Sequence, residues 1–298
     1  MPFTPPWDAA NLAVSDAQQF GSHLYFGTAN ENGGEVWRTD GFGWQQVVAV
    51  GFGDDANYAV NALAVFGGHL YAATSNLTTG IEIWRSNTGD RDTWRQVNAD
   101  GFGRGVTRED LTLAVFGQHL YAGVSRVVGA TARAELWRSM DGTQWEAVFT
   151  NGLGDAGNSQ LSALEEFQGQ FYLGLRNETT GGQLWRSADG RYWERVFTDG
   201  LGVPGNSRLH GLLAKGDQFY LVVSNVVTGA QVWRSTDGTA WEPVMQGGWG
   251  DPAHGFADYF DKAAAIFRGV LAVGTVNETL GGQVWHMGSL GFLPLIVR

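Results

Sequence analysis

The chain has 298 residues, no cysteine and a formal net charge of −11. An acidic chain without a Lys/Arg cluster repels the phosphate backbone, which excludes nucleic-acid partners, and zero cysteines exclude disulfides and thiolate metal sites. No apolar run reaches the roughly 20 residues of a membrane-spanning helix, and the first residues lack the basic and apolar segments of a secretory signal.

An apolar residue followed by Trp, and usually by Arg, recurs along the chain. The spacings between successive copies are 47, 53, 48, 48 and 52 residues. Six units of about 50 residues therefore fill residues 1–298 and predict one domain built of six repeats. The anchor residues of these repeats are Trp37, Trp84, Trp137, Trp185, Trp233 and Trp285.

The second repeat predicts four strands joined by Gly-rich turns. Its strands are NALAVF (61–66), HLYAATSN (69–76), IEIWRS (81–86) and WRQV (94–97), which form an antiparallel meander. The second and third strands of the repeats are apolar on both faces, so both faces need cover. With no helices in the pattern, only neighbouring repeats can supply it. The sequence predicts an all-β, six-bladed β-propeller with four antiparallel strands per blade.

A polar turn follows the third strand of most repeats, as in RSADGRYW (186–193). We predict that the Asp189 carboxylate accepts backbone N–H groups, that Gly190 takes a positive φ and that Trp193 packs back across the turn. Related turns are RSMDGTQW (138–145) and RSTDGTAW (234–241).

These turns resemble the Asp-box repeat of bacterial sialidases and other propellers, Ser/Thr-x-Asp-x-Gly-x-Thr-Trp/Phe. The resemblance covers a short turn in about five of the six repeats, and here one residue is missing between Asp and Gly. It implies a propeller fold, and in that family the motif usually lies away from the active centre. The matching residues are Ser139, Asp141, Gly142 and Trp145, then Ser187, Asp189, Gly190 and Trp193, and Ser235, Asp237, Gly238 and Trp241.

One residue slot at the end of the second strand is the first candidate binding site. Amides there offer donors and acceptors that suit a hydroxyl-rich ligand. The alternative is that Asn bonds its own loop and tolerates the turn conformation. The slot is occupied by Asn30, Asn76, Arg126, Asn177, Asn225 and Asn277.

The connection between repeats, GFGDDAN (51–57) and its relatives, carries a bulky residue between two glycines. An aromatic ring here could stack on a sugar, or it could fill the seam between adjacent blades. Because Leu also occurs in this slot, the second interpretation is favoured. The slot holds Phe52, Phe102, Leu153, Leu201 and Trp249.

Ionisable residues that interrupt the apolar first strands are candidate ligand-binding groups near the predicted channel. Channel charges solvated by ordered water are the alternative. Metal and cofactor are not predicted, since His23, His69 and His119 occupy one slot of three different repeats. The interrupting residues are Asp16, Asp110, Glu165, Glu166, His210, Asp261 and Lys262.

These patterns favour a non-catalytic, lectin-like binding module whose partner is a glycan or glycoprotein. A protein-interaction scaffold and a sialidase-like glycoside hydrolase are the alternatives. The segment Arg-Ile-Pro and a converging arginine clamp, which the resemblance to sialidases would imply, do not occur. No catalytic residue is predicted. We expect a soluble chain whose oligomeric state and compartment stay open, with an extracellular location favoured.

Overall fold

The computed structural model describes residues 10–129, 131–225, 227–255, 264–267, 269–277, 279, 283–288 and 291–294. The chain divides into two compact units, Met1–Thr150 and Asn151–Arg298, with three sequence repeats in each. The prediction of one domain over residues 1–298 stays a prediction.

The first unit contains three four-stranded antiparallel meanders. Repeats 1 and 2 are joined into one eight-stranded sheet through a single pair, Ala29 and Ala59. Repeat 3 forms a sheet of its own. The strands are β1 (Asn11–Phe20), β2 (His23–Asn30), β3 (Val36–Thr39), β4 (Trp44–Val48), β5 (Asn57–Phe66), β6 (His69–Asn76), β7 (Glu82–Ser86), β8 (Arg95–Gln96), β9 (Thr107–Phe116), β10 (His119–Val128), β11 (Thr131–Ser139) and β12 (Glu146–Phe149).

The second unit contains three further four-stranded sheets, one for each repeat. Repeat 6 supplies its own outer strand, which pairs with the strand that carries Trp285. The strands are β13 (Asn158–Phe167), β14 (Gln170–Asn177), β15 (Gln183–Ser187), β16 (Glu194–Phe197), β17 (Arg208–Lys215), β18 (Gln218–Ser224), β19 (Gln231–Ser235), β20 (Glu242–Met245), β21 (Ala264–Phe267), β22 (Val270–Thr275), β23 (Gln283–Gly288) and β24 (Gly291–Pro294).

The all-β prediction and the four antiparallel strands per repeat are confirmed. In repeat 2 the first strand begins at Asn57, four residues earlier than expected, and the outer strand is reduced to Arg95–Gln96. The second strands of repeats 2 to 5 are buried on both faces because neighbouring sheets pack on them within each unit. Ile83 of repeat 2 and Leu120 of repeat 3, for example, share one apolar core.

The Ser-x-Asp-Gly turns have the hydrogen bonds expected from the sequence. The Asp189 carboxylate accepts the N–H groups of Arg191 and Tyr192 at 2.8 and 2.9 Å. Gly190 has a φ of 68°, and its N–H donates to the Ser187 hydroxyl at 2.8 Å. Such bonds stabilise the ionised carboxylate, and they lower the pKa of Asp189.

Candidate functional site

The amides at the end of the second strands hold their own loops. The Asn76 carbonyl oxygen accepts the N–H groups of Thr78 and Thr79 at 2.9 and 3.0 Å. Its amide nitrogen donates to the side-chain oxygen of Asn57 at 3.2 Å. Asn57 lies at the start of the first strand of the same repeat, so the pair ties the inter-repeat connection to the loop between β6 and β7.

The same arrangement recurs in the other repeats. Asn177 donates to Asn158 at 3.0 Å, and Asn225 donates to Asn206 at 2.8 Å. Asn277 donates to Asp251 at 3.0 Å, and the Asn30 side-chain oxygen accepts the Asn32 N–H. These five amides are buried and bonded inside their own repeats, so a ligand role for Asn30, Asn76, Asn177, Asn225 and Asn277 stays a prediction.

Arg126 occupies this slot in repeat 3 with a different set of bonds. Its guanidinium donates to the Glu135 carboxylate at 2.8 Å and to the carbonyl oxygens of Gly105 and Gly101 at 2.7 and 2.8 Å. The side chain is 4 % exposed and fully engaged with protein acceptors. Arg126 thus performs the loop-holding role of the asparagines with a longer side chain.

The candidate channel residues lie in separate environments. The Asp16 carboxylate accepts the N–H groups of Ala17 and Leu63, each at 2.8 Å, and so links the first strands of repeats 1 and 2. Glu165 lies half-buried on β13, opposite Tyr172, and His210 is fully buried on β17. Glu166 is exposed. The side chains of Asp110, Asp261 and Lys262 lie outside the described residues.

Five of the six anchor Trp residues donate a hydrogen bond to the residue two positions before them, and Trp285 donates instead to the Thr275 hydroxyl at 3.3 Å. The Trp84 indole N–H donates to the Glu82 carboxylate at 3.0 Å, and the Trp185 N–H donates to the Gln183 amide oxygen at 3.1 Å. Burial raises the pKa of Glu82, while bonds from Asn57 and Trp84 act in the opposite direction. The first unit uses Glu in this slot and the second uses Gln.

The bulky residue of each Gly-flanked connection packs against the anchor Trp that follows. The Phe52 ring lies 4.7 Å from the Trp84 ring at an interplanar angle of 12°, and Phe102 lies 4.4 Å from Trp137 at 4°. Trp249 stacks on Trp285 at 5.1 Å. The seam-filling interpretation of this slot therefore accounts for three stacked aromatic pairs.

This packing requires an unusual backbone. The φ values of Phe52, Phe102, Leu153, Leu201 and Trp249 all lie between 55° and 64°, in the left-handed region. Bulky residues rarely adopt this region because the β-carbon approaches the following carbonyl oxygen. The same strained turn recurs in five connections. This indicates that the free energy gained by packing a side chain against the anchor Trp outweighs the cost of the left-handed backbone.

Two surface clefts open beside these turns, one in each unit. The Trp84 cleft has a volume of about 340 Å³ and is lined by residues that include Val47, Phe52, Trp84, Arg91, Asp92 and Trp94. The Trp185 cleft has a volume of about 260 Å³ and is lined by residues that include Leu153, Asp155, Thr180, Gln183, Arg195 and Thr198. Each combines the Gly-flanked turn and the anchor Trp, which are repeat features, with one arginine that comes from a different repeat position in the two clefts.

Arg195 lies over the Trp185 ring, with its guanidinium carbon 5.3 Å from the ring centroid. The two residues face each other across the β15–β16 ladder, next to a register shift between Leu184 and Trp185. A cation over an indole face is attracted by the ring's negative quadrupole. The Trp185 cleft therefore carries an aromatic side chain, a positive charge and hydroxyl groups within one small volume.

Sequence reasoning identified Phe52 and its equivalents but missed the clefts. Trp185 was recognised as a repeat anchor rather than as a lining residue, and Arg195 was not singled out. The available signal was that Arg195 is the only arginine in its repeat slot. Its meaning became clear only when the pairing of Arg195 with Trp185 across the β15–β16 ladder was known.

Within the described ranges, no group of three or more His, Asp or Glu residues could hold a metal ion. No helix in that part of the chain has the length and apolarity needed to cross a membrane.

No protein-family model and no curated protein sequence matches the chain. Solved structures do resemble it. A lectin from Aleuria aurantia in complex with α-methyl-L-fucoside has a TM-score of 0.62 at 11% identity, over 94% of this chain and 92% of the lectin. Another structure of that lectin is described as a six-bladed β-propeller. The chain thus has a propeller-like fold.

The same fold occurs in larger proteins. The extracellular domain of a candidate one-component system from B. thetaiotaomicron has a TM-score of 0.60 at 16% identity, over 96% of this chain. The chain spans 33% of that protein and 44% of a prolyl endopeptidase with a TM-score of 0.59 at 11% identity. At these identities the likeness concerns the fold alone.

Proposed function

We propose that the chain is a closed six-bladed β-propeller that binds carbohydrate and catalyses no reaction. The six repeats and the propeller-like fold support the ring. The paired construction of the Trp84 and Trp185 clefts carries the binding proposal. An enzyme that acts on one substrate concentrates its chemistry at one site, whereas a repeated cleft suits a ligand with repeated units.

The chemistry of the clefts matches a sugar. A sugar ring has apolar C–H faces that pack on aromatic side chains and hydroxyl groups that need donors and acceptors. The Trp185 cleft offers Leu153 and the uncovered part of Trp185 as apolar lining, with Thr180 and Thr198 for the hydroxyls. Its volume of about 260 Å³ is close to the lower end of ligand sites, at roughly 300 Å³, and suits one sugar residue.

The Aleuria lectin, of the same fold, is a carbohydrate-binding protein, and its fucoside complexes make fucosides the first ligands to test. The recurrent asparagines remain an alternative contact surface. Their amides are already engaged within the protein, so the clefts are the stronger candidates.

A glycan array followed by calorimetry tests the proposal. Thr198→Trp should fill the Trp185 cleft without touching the core and weaken binding of the best glycan at least tenfold at that site. Ala240→Trp, on an exposed turn, is the matched control and should bind like the wild type. If no array glycan bound the chain at millimolar concentration, the proposed carbohydrate-binding function would be wrong. Turnover of a fluorogenic glycoside would overturn its non-catalytic part.

A further inference from the structure

The strand partner of the anchor Trp distinguishes the repeats. The anchor Trp lies on the third strand, and its partner is the residue that faces it on the outer strand, beside the cleft. Across the six repeats it is Gln46, Gln96, Ala147, Arg195, Pro243 and Pro294. A charged group occurs in this slot once, in repeat 4. The substitution breaks the symmetry of the repeats at a lining residue of a candidate binding cleft.

The Arg195 guanidinium is available to a ligand. Its side chain is exposed, and its contact is with the face of Trp185. Among the described residues it makes no ion pair with a carboxylate. Several of the arginines that follow the anchor Trp are ion-paired instead: Arg138 with Glu146 at 2.6 Å, for example. A guanidinium that stacks on a ring keeps its N–H edge free for a planar anion.

Asp155, the carboxylate in the same cleft, is already engaged. One of its oxygens accepts the Gly157 N–H at 2.8 Å. The other accepts the side-chain amides of Asn177 and Gln183 at 3.1 and 3.0 Å. Three neutral donors therefore occupy the Asp155 carboxylate, whereas the Arg195 guanidinium contacts only the Trp185 ring face within the described part of the chain.

The Trp84 cleft differs in this respect. Its arginine, Arg91, donates to the Gln46 backbone carbonyl at 3.2 Å and is followed by Asp92, which lines the same cleft. The residue paired with Trp84 is the neutral Gln96. The two clefts thus share an aromatic wall, one arginine and one aspartate, but only in the Trp185 cleft does the arginine pair with the anchor Trp across the ladder.

We propose that the Trp185 cleft binds a carboxylate-bearing sugar residue, a uronic acid, whose carboxylate pairs with the Arg195 guanidinium. This inference rests on the proposed carbohydrate-binding function and names the ligand class for one of its sites. The planar guanidinium can meet a carboxylate with two parallel N–H bonds, which are stronger than bonds to a neutral hydroxyl. The Trp84 cleft, in contrast, suits neutral sugars.

Calorimetric titration with galacturonate and glucuronate, each beside its methyl ester, isolates the charge because the ester keeps the sugar's shape. The wild-type chain should bind at least one acid about three- to tenfold more tightly than its ester. Arg195→Gln, which copies repeats 1 and 2, should abolish that difference, so that the acid and its ester bind with equal affinity. Thr198→Trp should weaken the acid and the ester together. Circular dichroism checks that both variants fold.

Equal affinity for acid and ester would overturn the inference while leaving the proposed function intact, and so would binding of neutral array glycans without any binding of the acids. An acid preference that survives Arg195→Gln would also overturn it. If no sugar, charged or neutral, bound the chain, both the inference and the proposed function would be wrong.

Discussion

Gly142 lies against the phenol of Tyr71 in the preceding repeat, so closely that a β-carbon on Gly142 would stand 1.8 Å from the Tyr71 hydroxyl oxygen. Gly238 meets Tyr172 in the same way, with a corresponding distance of 2.0 Å. Arg85 hydrogen-bonds to the Tyr71 hydroxyl from the neighbouring strand. The repeated polar turn is therefore a docking element that couples one repeat to the previous one.

Gly142→Ala tests this coupling. Gly142 has a φ of 72°, and the added methyl group would displace Tyr71, so we expect the free energy of unfolding to fall by about 3 kcal/mol. Gly41→Ala is the control, because Gly41 has a φ of 94° but would meet nothing within 4 Å. It should cost about 1 kcal/mol. Urea unfolding of both variants gives the comparison, and equal losses would refute the coupling.

The pKa of Asp141 predicts how the stability of the fold changes at acidic pH. Bonds from the backbone N–H groups of Gln144 and Thr143 lower the pKa of Asp141 from 3.8 to about 2. A depressed folded pKa means that the ionised carboxylate stabilises the turn above about pH 4 and that this stabilisation is lost as the pH falls toward 2.

Asp141→Ala should therefore melt at a lower temperature than the wild type at pH 7. The difference in melting temperature should narrow between pH 4 and pH 2, because the wild-type Asp141 carboxylate is protonated there. Thermal melts across this range measure it. A gap that is the same at pH 7 and pH 2 would show that the carboxylate charge contributes nothing to the turn.

Glu82→Gln is expected to stabilise the chain at neutral pH. Burial raises the pKa of Glu82, so its ionised form is disfavoured in the folded state, and stability declines as the pH rises from about 4.5 through the folded pKa. Gln183 shows that a glutamine in this slot can accept the Trp N–H and also donate to the neighbouring Asp155.

The advantage of Glu82→Gln should shrink as the pH falls toward 4.5, because Glu82 becomes neutral by protonation. Gln183→Glu is the reciprocal variant and should destabilise the chain at pH 7. Melting temperatures at pH 5 and pH 7 test the pair. The account of this slot fails if Glu82→Gln is less stable than the wild type at pH 7.

Phe102 provides a test of the strained connection. Phe102→Leu should cost about 1 kcal/mol, since Leu153 and Leu201 occupy the same slot with φ values of 56° and 62°. Phe102→Ala should cost about 3 kcal/mol, because it keeps the strain and removes the ring stacked on Trp137. Urea unfolding distinguishes the two. If both variants lost the same stability, side-chain packing would not explain the left-handed turn.

The strands could be predicted from the sequence because the same pattern occurs in six repeats. A segment that is ambiguous in one repeat can be assigned from its equivalents in the others. The turn at Asp189 was also predictable, since its hydrogen bonds are local. The Trp185 cleft was not. Arg195 faces Trp185 because the two residues pair across the β15–β16 ladder, and the cleft beside them is formed by side chains from separate segments, which the sequence does not show.

The asparagine slot illustrates a second limit. A recurrent amide on a loop-rich end is compatible with ligand binding and with loop stabilisation, because the same donors and acceptors serve both. Only the position of Asn57, 19 residues before Asn76 and directly bonded to it, assigns the amide of Asn76 to its own loop. Burial and partner distances, which carry this information, arise from tertiary packing.

A crystal structure of the chain with its best array glycan tests the central claim most directly. We predict density for a sugar residue against Trp185, bordered by Leu153, Thr180 and Thr198, in a chain whose six sheets form one ring. Density at the Asn76 and Asn177 loops instead, or a saturated crystal without bound sugar in either cleft, would contradict the account.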